Sequence, residues 1–168
     1  MDENRITAIK EDIKKDNITL NQTTSGKKSG YLYQDFRLFH IADCSDKTYE
    51  YHYHEFNKIV ITLSGNVTYF VEGKSYKLKP WDILLVNNHD VHKPVIDPTQ
   101  LYDRIIIWVD NSFLKKFSYP DCDLTTCFHL ADKKSFNLVR LSTELQERLQ
   151  YILTHLEQAL TSEEYGSS

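Results

Sequence analysis

The sequence predicts a mainly β protein, built as a sandwich or barrel of short antiparallel strands and followed by a C-terminal α-helix. Short runs of β-branched and aromatic residues are divided by turns that contain Gly, Pro and Asn. Aromatic residues, which favour strands, are abundant, with eleven Tyr, eight Phe and two Trp in 168 residues. Helical apolar spacing becomes strong only in the last third of the chain.

Composition and charge limit the class of protein. The chain is 40% hydrophobic and 26% charged, which predicts a folded globular domain. Its formal net charge of −4 argues against binding of a nucleic-acid backbone by this chain alone, because such binding needs a basic face. The three scattered cysteines fit a reducing compartment. There is no signal-peptide pattern, and the longest apolar run, residues 105–109, is too short to span a bilayer. We therefore expect a cytoplasmic protein without a membrane partner.

The first 30 residues predict a polar helix and a linker. Ile6, Ile9 and Ile13 recur at helical spacing, so a helix over residues 1–16 would dock through one narrow stripe. Residues 17–30 are rich in Asn, Thr, Ser, Gly and Lys, as in a loop.

Residues 31–110 carry the predicted strands. Turns at residues 64–66, 72–74 and 87–90 separate β-prone stretches, and we expect the first of them to close a hairpin. The strands are predicted at residues 31–41, 48–63, 67–71, 83–86 and 102–109, with shorter extended segments between them. Short strands at this spacing are typical of sandwiches and barrels.

The last third of the chain predicts two helices. Asp110 or Asn111 can cap a short helix through Phe117. The rest of residues 111–142 is expected to be irregular and to pack on the strands. Thr143 and Gln146 match a capping box that would open a tail helix over residues 143–168.

The tail helix carries a heptad seam of about two heptads, which is short for a free-standing coiled coil. We expect its apolar face to be buried, either against the strands or against a partner helix. The residues concerned are Leu145, Leu149, Ile152 and Leu156.

The segment from His52 to Lys58 is the most informative for chemistry. Side chains alternate along a strand, so His52, His54 and Lys58 are predicted to share one face. His92 can arrive from a neighbouring strand, and three imidazoles around an open position can hold a metal. The alternative is that these histidines only form hydrogen bonds with neighbouring residues.

Two further residues are candidates for a binding site. Arg104 and Trp108 share a face of their strand by the same alternation. A buried Arg needs a partner, whereas an aromatic side chain most often only packs in the core. No nucleophile elbow, phosphate-binding Gly loop or paired carboxylate motif is present, so we expect no enzymatic activity.

The chain resembles the cupin family in two motifs. The first cupin motif is resembled by His52-x-His54, Lys58 and Ser64-Gly65. The second cupin motif is resembled by Gly73, Pro80, Asp82, residues 83–86 and His92. The wider pattern, from Tyr31 to Tyr165, is similar to the N-terminal sensing domain of AraC-type bacterial transcription regulators. This pattern includes the strand 103–108, the short helix 113–117 and Leu141-Ser142 at the start of the tail.

The resemblance implies a cupin-type antiparallel β-barrel, or jelly roll, over residues 31–110. It further implies a small-molecule effector, dimerisation into a homodimer through the helical tail, and DNA binding only by helix-turn-helix units C-terminal to this chain. We accordingly expect the chain to be a fragment of a longer regulator. The expected ligand is a sugar or organic acid without a cofactor, contacted by His52, His54, Lys58, His92, Arg104 and Trp108.

The chain departs from the cupin pattern in two ways. Metal-binding cupins place Glu where this chain has Lys58, which cannot coordinate as a cation and repels a divalent ion. We therefore expect no required metal, and a metal-dependent cupin enzyme using His52, His54 and His92 remains the alternative. Trp81 and His89 replace turn glycines, so we expect these turns to use another backbone conformation.

Overall fold

The computed structural model describes residues 27–161. The predicted helix of residues 1–16, residues 17–26 of the linker and residues 162–168 of the tail lie outside the described residues. Within them, the strands are β1 (Lys27–Lys28), β2 (Phe36–Asp43), β3 (His52–Tyr53), β4 (Asn57–Ser64), β5 (Val67–Val71), β6 (Lys74–Lys77), β7 (Ile83–Val86), β8 (His92–Ile96), β9 (Tyr102–Val109) and β10 (Leu138–Val139). The helices are α1 (Asn111–Lys116), α2 (Thr126–Lys134) and α3 (Thr143–Thr161).

The strands form two five-stranded sheets that pack on each other. The order is β1-β3-β8-β5-β6 in the first sheet and β10-β7-β4-β9-β2 in the second. Neighbouring strands are antiparallel except β1 and β3. Both sheets contribute to one core, for example Val67 and Val71 from the first and Val60 and Leu84 from the second. The predicted mainly β fold with a C-terminal helix is confirmed. Two short strands from outside residues 31–110, β1 and β10, join its sheets.

The turn at Gly65 corrects the sequence prediction. We expected a hairpin, but β4 pairs with β7 and β9 while β5 pairs with β6 and β8, so the turn leads from one sheet to the other. Gly65 has φ +105°, and a Cβ there would lie 2.8 Å from the Cα of Tyr102. A hairpin is impossible because both edges of β4 are already paired. The turn at Gly73 does close a hairpin, between β5 and β6.

The second sheet separates two environments by strict alternation along β9. Arg104, Ile106 and Trp108 face an internal cavity. Ile105 and Ile107 face the opposite side, where they pack in a cluster with α3. Strand β4 alternates in the same way, with Lys58 inward and with Ile59 and Ile61 outward. One sheet thus forms a cavity wall on one face and the docking surface of α3 on the other.

Helix α1 begins as predicted and helix α2 was missed. The Asp110 side chain accepts a hydrogen bond from the Ser112 backbone N–H at 2.7 Å. Helix α2 lies in the segment that we expected to be irregular and buries only Phe128 and Ala131. Its nine residues are too few to display a helical period, and tertiary contact with Leu85 stabilises it.

Helix α3 begins at the predicted position, but its cap is Ser142. The Ser142 hydroxyl accepts from the Leu145 N–H at 3.4 Å, and the Gln146 side chain donates to the Leu141 carbonyl at 3.1 Å. The expected pairing of Thr143 with Gln146 is therefore displaced by one residue.

The face of α3 that docks on the sheet differs from the predicted seam. Leu153, which is outside the seam, is 4% exposed and packs on Ile61 and Ile105. Leu149 and Leu156 flank it and are half-buried. Leu145 and Ile152 remain 48% and 59% exposed. The seam is thus divided between the barrel and an uncovered outer stripe.

A polar contact also holds α3 to the sheet. His40 of β2 reaches Glu157 Oε1 through Nδ1 at 2.7 Å and Asp103 Oδ1 through Nε2 at 3.0 Å. The imidazole therefore bridges a strand and the tail helix.

The turns at Trp81 and His89 are a second correction. We expected another backbone conformation, but Trp81 has φ 67° and His89 has φ 71°, the left-handed region that glycine favours. Each turn is fixed by a backbone hydrogen bond, from Trp81 to Thr62 at 2.6 Å and from His89 to His54 at 2.7 Å. The Trp81 side chain joins the cluster under α3, which offsets the backbone strain.

Among the helices of residues 27–161, none has the length and apolar character needed to cross a membrane.

Candidate functional site

A cavity of about 80 Å³ lies between the two sheets. Its walls come mainly from β2, β4 and β9 of the second sheet and from β3, β5 and β8 of the first. The lining residues are Ser29, Phe39, Ile41, Tyr49, His52, His54, Lys58, Tyr69, Pro94, Ile96, Tyr102, Arg104, Ile106 and Trp108.

Three histidines cluster at one side of this cavity. His52 of β3 is directly opposite His92 of β8 in the sheet register. Their ring centroids are 4.4 Å apart, and the ring of His54 lies 5.0 Å from His52 and 4.9 Å from His92. One ring nitrogen from each lies within 4.8 Å of the others. The structure therefore brings together the three imidazoles that the sequence singled out.

All three imidazoles are held in the same tautomer. Nδ1 of His52 contacts the Glu50 carbonyl at 2.8 Å, and Nδ1 of His92 contacts the Asp90 carbonyl at 2.9 Å. His54 makes the same contact with the Ser29 carbonyl. Because a carbonyl only accepts, each Nδ1 must carry the proton, which leaves each Nε2 as an acceptor.

The surroundings keep these histidines neutral. Burial, reinforced by the Lys58 charge, lowers the pKa of His52 to about 4 and that of His54 to about 2. The same two causes lower the pKa of His92 well below its ordinary value. The cluster therefore presents lone pairs and no positive charge at neutral pH.

Lys58 is a buried cation next to the histidine cluster. It is 7% exposed, and its Nζ donates to His92 Nε2 at 3.5 Å. The ammonium also lies 5.8 Å from the centre of the Tyr69 ring. Burial, and secondarily the charge of Arg104, lower the pKa of Lys58 to about 8, so the side chain is still mostly protonated at pH 7. The amine therefore does not reach bulk solvent.

Arg104 is the second buried cation of the cavity. It is 5% exposed and forms an ion pair with Asp43 of the neighbouring strand β2. It also donates to the Tyr102 carbonyl at 2.9 Å and stacks over the Tyr102 ring at 4.4 Å. Asp43 thus balances the charge of Arg104. The charge of Lys58 has no carboxylate partner among the described residues that line the cavity.

An aromatic wall closes the other side. The Trp108 ring lies 4.8 Å from Phe39 and 4.5 Å from Phe56 between centroids. Trp108 Nε1 and His54 Nε2 are buried and have no hydrogen-bond partner within residues 27–161. Trp108 Nε1 is thus an unused donor and His54 Nε2 an unused acceptor, in addition to the two cations of the cavity.

Five of the six candidate site residues line the cavity directly. His92 has no exposed surface and lies behind Lys58, to which it is bonded. Sequence reasoning missed Asp43, Tyr49 and Tyr102. Tyr102 and Asp43 are in register across β9 and β2, a pairing that only the topology reveals. Alternation along β2, which places Phe39 and Ile41 inward, is the signal that could have extended the site.

The residues present do not fit a resident divalent metal. The buried Nε2 of His54 and the three fixed tautomers are suited to coordination. However, the Lys58 ammonium stands against one of the three lone pairs. None of the described residues that line the cavity is Asp or Glu. A doubly charged ion would meet a buried cation there and no anionic ligand.

Several solved structures are similar to part of this chain. Solved structures that resemble the chain include a cupin-like protein from Thermotoga maritima, with 20% identity and a TM-score of 0.42 over 47% of this chain and 60% of that one. The region shared with it is therefore less than two thirds of that protein. A cupin 2 barrel-domain protein from Salinispora arenicola matches with 17% identity and a TM-score of 0.41, over 51% of this chain and 72% of that one. A DMSP lyase from Ruegeria pomeroyi matches with 17% identity and a TM-score of 0.40, over 46% of this chain and 39% of that one.

The sequence comparison is more specific. No curated protein matches the chain. Residues 37–121 match the family model for the AraC-like ligand binding domain. This match covers half of the chain and includes the strands that build the cavity wall, from β2 to β9. The chain therefore belongs to the AraC-like ligand-binding domain family.

Proposed function

We propose that this chain is the effector-sensing and dimerisation domain of an AraC-type bacterial transcription regulator, and that its barrel binds a small sugar or organic acid. The observation that carries the proposal is a pair of buried cations, Lys58 and Arg104, on one wall of the cavity. Only Arg104 has a carboxylate partner. An anionic ligand would neutralise Lys58, whose burial is otherwise costly.

The other polar groups indicate what else the ligand carries. His54 Nε2 can accept a hydrogen bond from a ligand hydroxyl, and Trp108 Nε1 can donate to a ligand oxygen. Phe39 and Trp108 offer an apolar face for the carbon skeleton. A hydroxylated carboxylic acid would satisfy all of these groups at once.

Cavity size favours the smaller members of this class. A volume of about 80 Å³ is roughly half that of a cavity known to admit benzene, about 150 Å³. A short hydroxy acid or keto acid fits this space with less rearrangement than a hexose does. We therefore rank short organic acids above sugar acids, and sugar acids above neutral sugars.

Binding can be tested by calorimetry and thermal stabilisation with a graded panel. The panel contains lactate, malate, gluconate, glucuronate, benzoate, arabinose and glucose, each tested with wild type, Lys58→Met and Lys77→Met. Lys77 is an exposed lysine on β6 and serves as the matched control. We expect at least one acid to bind wild type and the control equally.

Loss of the ammonium in Lys58→Met should weaken binding of that acid about 10- to 100-fold, which corresponds to the loss of one charge-assisted hydrogen bond. Equal binding to wild type and Lys58→Met would remove the anchor role. Binding of neutral sugars alone would contradict the acid class.

Regulation would follow from coupling of the cavity to α3. Effector binding would favour one arrangement of barrel and tail, in a homodimer whose DNA-reading helix-turn-helix units belong to another part of the regulator. The exposed stripe of Leu145 and Ile152 supports contact with a second chain. The free, exposed cysteines 44, 122 and 127 fit action in a reducing cytoplasm.

Sedimentation of wild type and Ile152→Glu tests the dimer. Ile152 is exposed, so the variant should fold normally, and it should shift the equilibrium to monomer. Leu149→Glu is the contrasting variant. Leu149 packs on the sheet, so a charge there should lower the free energy of unfolding. A monomeric wild type at high concentration would contradict dimerisation by this segment.

The histidine cluster favours a second candidate function, a metal-dependent cupin enzyme that uses His52, His54 and His92. Its geometry is compatible with three ligands, but the adjacent Lys58 weighs against it. Elemental analysis of protein purified without an affinity tag tests this candidate. Stoichiometric iron, manganese or zinc that is lost in His54→Ala would support it over the sensor.

A further inference from the structure

The three-histidine cluster has the organisation of a cation site. Each imidazole is fixed by a backbone carbonyl at Nδ1, and one nitrogen from each ring lies within 4.8 Å of the others. Two strands of one sheet hold His52 and His92 in register, so the cluster does not depend on loop positions alone. Each Nδ1–H already has its carbonyl acceptor, so the Nε2 atoms are the ring nitrogens left for a cation or a donor.

The cation that occupies this organisation is part of the chain. Lys58 comes from the opposite sheet, and its Nζ reaches His92 Nε2 at 3.5 Å. In the sheet, Lys58 is paired with Val86 of β7 on one side and with Trp108 of β9 on the other.

We propose that Lys58 is the residue that sets the charge of the species accepted by this cavity. Its ammonium lies 3.5 Å from His92 Nε2, one of the three nitrogens that a divalent ion would need. With the ammonium present, the cavity takes an anion and rejects a metal. Without it, the imidazoles form a site for a first-row transition ion. The anion half of this proposal rests on the proposed function, whereas the metal half depends only on the cluster.

The geometry sets what the change requires. A tetrahedral zinc ion with bonds of about 2.1 Å holds its ligand atoms about 3.4 Å apart. The ring nitrogens lie within 4.8 Å of each other, so small ring rotations would bring them to this spacing. A methionine at position 58 keeps the unbranched stem of the lysine, one atom shorter, and removes its charged end. Water or buffer can then complete the coordination of a three-histidine site.

Metal titration of the full chain, purified without a tag, tests the proposal. Zn²⁺ chloride is titrated by calorimetry, and Co²⁺ is followed by its visible absorption, into wild type, Lys58→Met, Lys58→Gln and Lys77→Met. Circular dichroism checks that each variant is folded, and the Gln variant provides a polar substitute if Met misfolds. We expect one Zn²⁺ per chain in both Lys58 variants, bound at least 100-fold more tightly than in wild type or Lys77→Met.

A double variant identifies the ligands. Adding His54→Gln to the Lys58 variant should abolish the gained site and its cobalt spectrum. Wild type that binds Zn²⁺ as tightly as the Lys58 variants would overturn the proposal, as would folded Lys58 variants that gain no site. The Lys58 variants could gain a metal site while wild type binds no acid from the panel. That result would support the role of Lys58 in excluding metals and would reject only the proposed ligand.

Discussion

The two faces of strands β4 and β9 carry opposite chemistry. The inner face presents Lys58, Arg104 and Trp108 to the cavity. The outer face presents Ile61 and Ile105, which pack on α3. The same backbone and the same hydrogen-bond ladder support both faces. The difference shows that the outer face is built for stability, whereas the inner face accepts the cost of buried charge in order to bind something.

This contrast can be measured because the two faces should respond oppositely to substitution. Removing an apolar side chain from the outer face should destabilise the fold, and removing a polar side chain from the inner face should not.

The largest effect is expected from acid. His52, His54 and His92 have pKa values lowered in the fold, to about 4 for His52 and about 2 for His54, whereas unfolded histidine titrates near 6.5. Below pH 6.5 the unfolded chain binds these protons and the folded chain does not, so stability present above pH 6.5 is lost as the pH falls. Below pH 6.5 each histidine lowers the free energy of unfolding by up to about 1.4 kcal/mol for each pH unit. The three together lower it by up to about 4 kcal/mol per pH unit.

Urea unfolding at pH values from 7.5 to 4.5 measures this loss. His54→Gln should flatten the slope by about a third. His155→Gln, at an exposed position of α3, should leave the slope unchanged. A free energy of unfolding that stays constant between pH 7 and pH 5 would show that the cluster is not buried in a neutral state.

The next largest effect is expected on the outer face. Leu153→Ala removes the most buried side chain of α3 and should lower the free energy of unfolding by about 2–5 kcal/mol, as for other core leucines. Tyr151→Ala, two residues away and 66% exposed, should change it by less than about 0.5 kcal/mol. Chemical denaturation of the two variants gives both values. Equal effects would mean that α3 docks through another face.

A smaller effect of opposite sign is expected on the inner face. Burial lowers the pKa of Lys58 to about 8, so below that pH the fold carries a disfavoured charge. Lys58→Met should raise the free energy of unfolding at pH 7 by about 1–3 kcal/mol while it weakens acid binding about 10- to 100-fold. As the pH rises through 8, wild-type lysine loses its proton and the difference should shrink. A variant less stable than wild type at pH 7 would contradict this view of the inner face.

The smallest effect is expected at the polar link between sheet and helix. His40 and Glu157 are each about 30% exposed at the side chain, with values of 30% and 31%, so their contact is partly screened by water. Glu157→Gln should cost less than about 1 kcal/mol, and the cost should fall further in high salt. Glu147→Gln, at an exposed position of the same helix, is the control. A loss of several kcal/mol would show that this contact is as important as Leu153.

The sequence was sufficient for the parts of the molecule that depend on alternation and turn chemistry. The predicted strands around residues 83–86 and 102–109, the cap at Asp110 and the meeting of His52 with His92 are present in the structure. Alternation is a local property, so it could be read along one strand without knowledge of the others.

The parts that failed depend on contacts between distant segments. The local sequence at Gly65 predicts a hairpin, but the strands on its two sides pair with other strands. Those partners are distant in the sequence and are not encoded in the turn. Helix α2 was missed because two buried residues in nine do not produce a periodic signal. The heptad seam of α3 was read correctly as apolar, but a single sequence could not assign Leu153 to the barrel and Ile152 to solvent.

The position of His40 has a mechanical consequence. It lies on β2 between Phe39 and Ile41, which both line the cavity, and its ring points the opposite way, to Glu157 of α3. A displacement of either neighbour by a bound molecule must pass through the backbone of His40, since adjacent residues share their peptide planes. Binding of a molecule against Phe39 or Ile41 would therefore reach α3 through the backbone of this single strand, without rotation of one domain against another.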